Sequence, residues 1–254
     1  MTKLRREVNE ELTFWDHLEV LRGCLWRIVV AVVVGGIAAF CMKETLFDFV
    51  LAPCYSDFVT YRLLGAEPFN LHLINTGLAE QMMIHLKVAT CVGVVAASPY
   101  IIYVLFGFIS PALYESERRY SVRLTLSAYL MFLLGMAINY LLIFPLTVRF
   151  LGLYQVSEDV DNMLTISSYI ETLMMMSLTF GIVFEIPVLS WLLAKFGLIR
   201  AEWMSRYRRH AIVAILVVAA IITPTADAFT LFIVSLPIWL LYECSILIVK
   251  KTNK

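Results

Sequence analysis

Charge is scarce in this chain. Of its 254 residues only 16% are Asp, Glu, Lys or Arg, where a soluble domain carries about 25%. Paired cysteines are lacking too. Cys24, Cys41, Cys54, Cys91 and Cys244 are scattered with no C-x-x-C, which excludes a disulfide framework or zinc ribbon and leaves them as small apolar helix residues. No H-E-x-x-H, G-x-S-x-G or P-loop occurs, so neither a metalloprotease, a serine hydrolase nor a nucleotide-driven pump can be built. Of four histidines, His17 and His72 fall outside the apolar runs, while His85 and His210 fall near opposite membrane faces and cannot share a haem iron. No repeat of 20–50 residues and no inverted repeat is apparent, which speaks against a conventional secondary transporter. The N-terminus has no short apolar core before a small-residue cleavage site, so no cleavable signal peptide is expected. No catalytic centre, metal or cofactor and no nucleic-acid partner is expected, and the net charge of zero says little because the charges are segregated by position.

What is present is apolar surface: 61% hydrophobic residues and a mean hydropathy of +0.81. Six runs stand out, Leu25–Met42, Met82–Phe108, Leu124–Pro145, Thr172–Ala194, Ala211–Thr223 and Ala228–Val249. The fold class expected is an all-α polytopic membrane protein of six transmembrane helices, with helices five and six short. Helix five is the shortest, about 20 Å against a hydrocarbon core of about 30 Å, and could mark local thinning of the bilayer. The chain reads as one membrane domain, residues 1–254: a cytoplasmic amphipathic segment 1–24, a bundle 25–249 and a cytoplasmic tail 250–254. In the first segment Phe14, Leu18, Leu21 and Leu25 share a helical face. Basic residues fix the orientation. Of 20 in the chain, only Lys43, Arg62, Lys87 and Arg149 fall outside the termini and the second-to-third and fourth-to-fifth connections. The positive-inside rule therefore places both termini in the cytoplasm. The longer outer loops, about 43–81 and 146–171, are expected to cap the bundle with short helices and turns.

One carboxylate is out of place. Glu185 lies in the otherwise uncharged run 172–194, where a charge costs about 2.5–3.5 kcal/mol on insertion scales unless it meets protein or water. Ser177, Gly181 and Glu185 are four apart and share a small polar face that a cavity or partner helix can approach. Pro187 removes a helical hydrogen bond beside it and should kink the helix. Glu185 could equally be a protonated donor to a neighbouring helix, or a proton carrier. Glu19, Glu117 and Glu243 also fall toward the cytoplasmic side, an arrangement suited to an incoming cation. Asn139 and Lys87 read as intrabundle partners.

Several stretches together resemble one family. Phe108-Ile-Ser-Pro-Ala-Leu-Tyr-Glu-Ser-Glu-Arg-Arg119 is similar to the first cytoplasmic loop of TatC, the multispanning component of the twin-arginine protein translocase. Phe180-Gly-Ile-Val-Phe-Glu-Ile-Pro187 is similar to that family's fourth-helix motif, His17-Leu-Glu-Val-Leu-Arg22 to its H-L-x-E-L-R motif, and Ile222-Thr-Pro-Thr-Ala-Asp227 to its last outer turn. Leu51-Ala-Pro53 and Ser98-Pro99 also fit, and all occur in family order. The resemblance implies a non-enzymatic translocase subunit of the bacterial inner membrane. Such a subunit binds Arg-Arg signal peptides and scaffolds TatA-like and TatB-like single-helix partners, as a homo-oligomer within a larger complex, for export of folded proteins driven by the proton-motive force. The residues it implies for signal-peptide binding are Glu117, Glu19, Arg118, Arg119, Phe108 and Arg22. For structure and partner contact it implies Pro53, Pro99, Pro187 and Asp227. Carboxylates suit this task because a guanidinium presents a planar fork that a carboxylate accepts bidentately and a lysine cannot copy. Three departures stand out: Val20 occupies the place of the motif glutamate, with Glu19 one residue, or about 100°, away; Val104 stands where glutamine is common; and the last outer turn is one residue longer than the family's shortest form. The alternative is a proton-coupled transporter using Glu185.

Overall fold

The computed structural model describes residues 14–65, 69, 71–109, 121–154, 163–223 and 227–252. Helices dominate: α1 Phe14–Cys41, α2 Lys43–Leu51, α3 Val59–Leu63, α4 Glu80–Ile109, α5 Ser121–Ile138, α6 Phe144–Leu153, α7 Ile166–Val183, α8 Ile186–Lys195, α9 Ala201–Arg206, α10 Arg208–Ile222 and α11 Ala228–Thr252. The strands among the described residues are two two-residue segments, β1 Leu73–Ile74 and β2 Leu164–Thr165, paired in parallel and joining the connections before α4 and before α7. Among the described residues five helical stretches are long and apolar enough to cross a membrane: Leu18–Cys41, Glu80–Leu105, Leu124–Leu153, Ile166–Lys195 and Ala228–Thr252. The last has 25 residues, so the expectation of a short sixth helix is wrong. Its final turn carries Lys250 and Lys251, which hydropathy set aside as tail and which a helix C-terminus favours. α10, at 15 residues, is the short one.

The helices also outrun the apolar runs. α1 is unbroken from Phe14, so the amphipathic segment and the first span are one rod. The third helix runs through α5, a π turn at Asn139–Ile143 and α6 to Leu153, and the expected loop from 146 begins later. Polar residues such as Thr147 and Arg149 leave the hydropathy signal without leaving the helix.

Helix ends are capped locally. Glu80 accepts the backbone N–H groups of Gly77 at 2.8 Å and Thr76 at 3.0 Å, opening α4. Thr165 accepts from Ser168 N–H at the start of α7. Asp227 accepts from Phe229 and Thr230 N–H at 3.1 and 2.9 Å and opens α11.

The core centres on α7, whose Ile170, Met176 and Phe180 are fully buried with Ile143 and Phe144 of the third helix and Val234 of α11. α1 stands apart. It packs on α4 through glycine: a Cβ at Gly93 would lie 2.6 Å from the backbone of Gly36 and Val32, and one at Gly35 would lie 3.2 Å from Gly93. The two helices run antiparallel, for Phe40 stacks on His85 at one end and Trp26 lies beside Tyr100 at the other.

Candidate functional site

The Ser177–Gly181–Glu185 face is occupied by the third helix. Asn139 Nδ2 donates to Ser177 Oγ at 2.9 Å, and both groups are buried. A Cβ at Gly181 would lie 2.6 Å from the Phe132 ring, and one at Gly135 would lie 2.5 Å from the Phe180 carbonyl. The small residues are therefore a seam between α5 and α7 inside this chain, drawn close by two facing glycines.

Glu185 lies where the fourth helix breaks. Phe184 and Glu185 separate α7 from α8, and Pro187 is buried in the first turn of α8. Glu185 N–H reaches back to Ile182 in a three-residue turn, and its carbonyl accepts from Leu189 N–H at 2.9 Å. Pro187 has no N–H for the Val183 carbonyl, so the helix resets its register there. The Glu185 side chain caps nothing, and its Oε1 is buried with no hydrogen-bond partner among the described residues. A half-buried carboxyl with an unpaired oxygen has room for one more hydrogen bond.

The surface candidates divide. Glu19 and Arg22 are exposed near the N-terminal end of α1, as is Val20, and neither Glu19 nor Arg22 has an ion-pair partner among the described residues. Glu117, Arg118 and Arg119 lie outside the described residues, and of Phe108 only the backbone, in the last turn of α4, is described. The antiparallel pairing of α1 and α4 brings Glu19 to the same end of the bundle as Phe108. Glu243 is not open to an incoming cation: Arg208 donates to it at 2.8 Å and ties α10 to α11.

The end of the bundle away from Phe108 holds the cap of short helices and turns expected over 43–81. Three prolines leave three carbonyls without the N–H four residues on, and each receives a side-chain hydroxyl. At this end Tyr140 donates to Phe49 O at 2.6 Å, ahead of Pro53, while toward the other end of α4 Ser98 donates to Val95 O at 2.7 Å, ahead of Pro99. Thr60 donates to Leu141 O, ahead of Pro145. Tyr61 adds a shared hydroxyl, 2.9 Å from Pro53 O and 3.0 Å from Pro145 O, and Tyr169 donates to Val50 O at 3.0 Å. Burial pushes the Tyr61 hydroxyl above the usual tyrosine range. It also raises the Cys54 thiol, an effect the neighbouring Tyr169 hydroxyl partly offsets. Lys87 pairs with Glu171, the residue just before the uncharged run in which Glu185 lies. A signal for the cap existed in the spacing of proline minus four; none existed for which distant hydroxyl would answer. Among the described residues no group of His, Cys, Asp and Glu could hold a metal ion.

Comparison with known proteins agrees over nearly the whole length. The family model for TatC, the Sec-independent protein translocase protein, matches residues 16–237. The Sec-independent protein translocase protein TatC of Desulforapulum autotrophicum is 34% identical over 239 residues, covering 94% of this chain and 84% of its own. That of Blattabacterium sp. subsp. Periplaneta americana is 32% identical over 260 residues, covering 96% of this chain and 97% of its own. A crystal structure of the twin arginine translocase receptor TatC superposes with a TM-score of 0.79 at 31% identity, covering 94% of this chain and all of the other.

Proposed function

The chain belongs to the TatC family of Sec-independent protein translocase proteins, and from that premise we propose that it receives twin-arginine signal peptides at its cytoplasmic face. It is a membrane component of protein transport rather than an enzyme. On this reading six helices cross the bacterial inner membrane, α10 included, with both termini in the cytoplasm. Signal-peptide arginines are read by Glu117 with Glu19, and Arg118, Arg119, Arg22 and Phe108 frame the site. TatA-like and TatB-like single-helix proteins then assemble on the bundle, and Glu185 meets a polar group on one of them or on the inserted signal peptide. The proton-motive force supplies the drive, worth about 2.3 kcal/mol per charge per 100 mV.

The observation that carries the reading is the match from residue 16 to 237, together with an exposed Glu19, without an ion-pair partner among the described residues, at the Phe108 end of the bundle. Truncating one member of a desolvated carboxylate–guanidinium pair costs on the order of 2–5 kcal/mol, enough to reject most peptides lacking the arginines. A photoreactive side chain at position 117 should capture an Arg-Arg signal peptide and lose it when both arginines become lysines. Equal capture of the two peptides would show that this carboxylate does not read them.

A further inference from the structure

We propose that the groove of about 460 Å³ between α1 and α4, lined by Trp26, Arg27, Val30, Ala31 and Tyr100, seats one phospholipid whose phosphate rests on Arg27. Arg27 lies within the apolar stretch Leu18–Cys41 and is exposed, with no hydrogen bond or ion pair among the described residues. A guanidinium at that position needs an anion or water, and its planar fork of donors fits a phosphate bidentately.

Depth agrees with this. Gly93, where α1 and α4 cross, lies at the middle of the span Glu80–Leu105. Arg27 is eight residues from Gly35, about 12 Å along the helix toward its N-terminal end, and half a hydrocarbon core is about 15 Å. The Arg27 side chain therefore reaches the headgroup boundary. Trp26 and Tyr100 flank it at 62% and 40% exposure, as interfacial aromatics do. Toward the bilayer centre the wall continues as Val30 and Ala31, and the small Ala31 leaves width for an acyl chain. The ligand so defined has an anionic phosphate at one end, a glycerol level with the aromatics, and a chain along α1. An anionic phospholipid is favoured over a zwitterionic one, whose ammonium offsets the phosphate.

The test uses the full chain in vesicles of phosphatidylcholine doped with a phosphatidylglycerol that carries a photoreactive group high on its acyl chain, with labelled residues mapped by mass spectrometry. Label should concentrate on Trp26–Ala31 and Tyr100 by about fivefold over the equally exposed Val33, Val34 and Ile37, the preference one basic residue gives near an anionic lipid. R27Q should erase the excess, R27K should keep part of it, and labelling of Phe232 and Leu236 on α11 should stay constant. An even spread along α1, or an excess indifferent to R27Q, overturns the proposal. Should R27Q fail to fold, competition in the unaltered chain decides. Unlabelled phosphatidylglycerol must displace the label at a lower mole fraction than phosphatidylcholine does, and equal competition overturns the assignment. None of these readouts involves a signal peptide, so the seat and the translocase reading can fail separately.

Discussion

Glu185 and Gly93 break the same expectation in opposite ways: one is polar where apolar is cheap, the other lacks a side chain where helices favour one. An oxygen buried without a partner costs about 1–3 kcal/mol, so the Glu185 carboxyl is retained against stability. Glu185→Ala should therefore leave the unfolding temperature unchanged or higher, leave capture of an Arg-Arg peptide intact, and weaken partner-helix association or export. Measuring all three in membranes separates the roles, and wild-type assembly and export in that variant would remove Glu185 from the translocation step. At Gly93 the reason is steric. A methyl group there meets backbone atoms of Gly36 and Val32 at 2.6 Å, and backbone cannot rotate away. Gly93→Ala should cost about 1–3 kcal/mol, the range for overpacking, seen as a lower unfolding temperature in detergent. Gly23→Ala, with nothing within 4 Å, serves as the silent control.

Proline removes a helical donor at several points of this protein, and the cap gathers the repairs at two of them, Pro53 and Pro145. Tyr61→Phe withdraws the hydroxyl shared by the Pro53 and Pro145 carbonyls, both buried with it. The loss should be about 1–3 kcal/mol and should appear as faster amide exchange over α3 and the segment Ala52–Cys54. The same hydroxyl gives the cap a pH dependence. Its folded pKa is raised by burial, so the stability it lends is fully present below the ordinary tyrosine value of about 10 and is lost as pH climbs through the higher folded value. Exchange over the cap should rise in alkali before the bundle unfolds, and Tyr61→Phe should abolish that alkaline step. Much of this level was legible from sequence. Apolar runs marked the five long helices because bilayer thickness demands that length, and Pro187 announced the break at Phe184–Glu185. The hydroxyl partners were not legible: Tyr140 and Phe49 stand 91 residues apart, and no local pattern links a donor to a carbonyl that distance away. Hydropathy also misplaced helix ends, since it reports where lipid is and not where backbone hydrogen bonding stops.

Across the whole molecule, pairing of charge explains why the sequence reading overcounted open carboxylates. Glu243 is engaged by Arg208 on the preceding helix and Glu171 by Lys87 on a helix distant in sequence, so a count of acidic positions could not tell a ligand from a tie. What remains unbalanced at this scale is length. α10 has 15 residues, about 22 Å, beside crossings of 24 to 30 residues. It is also thinly covered, with only Ile215, Ala219 and Ile222 buried along it. On the proposed reading that α10 crosses the bilayer, its mismatch with a core of about 30 Å falls on lipid rather than on neighbouring helices. At fractions of a kcal/mol per Å, a shortfall of about 8 Å is worth a few kcal/mol. Reconstituted in bilayers of graded acyl length, the chain should show its highest unfolding temperature in a bilayer thinner than average. Adding one helical turn of four apolar residues within α10 should move that optimum toward thicker bilayers. An optimum that stays put after the insertion would mean that α10 sits below the membrane surface on one side, and that the bilayer around it is not thinned.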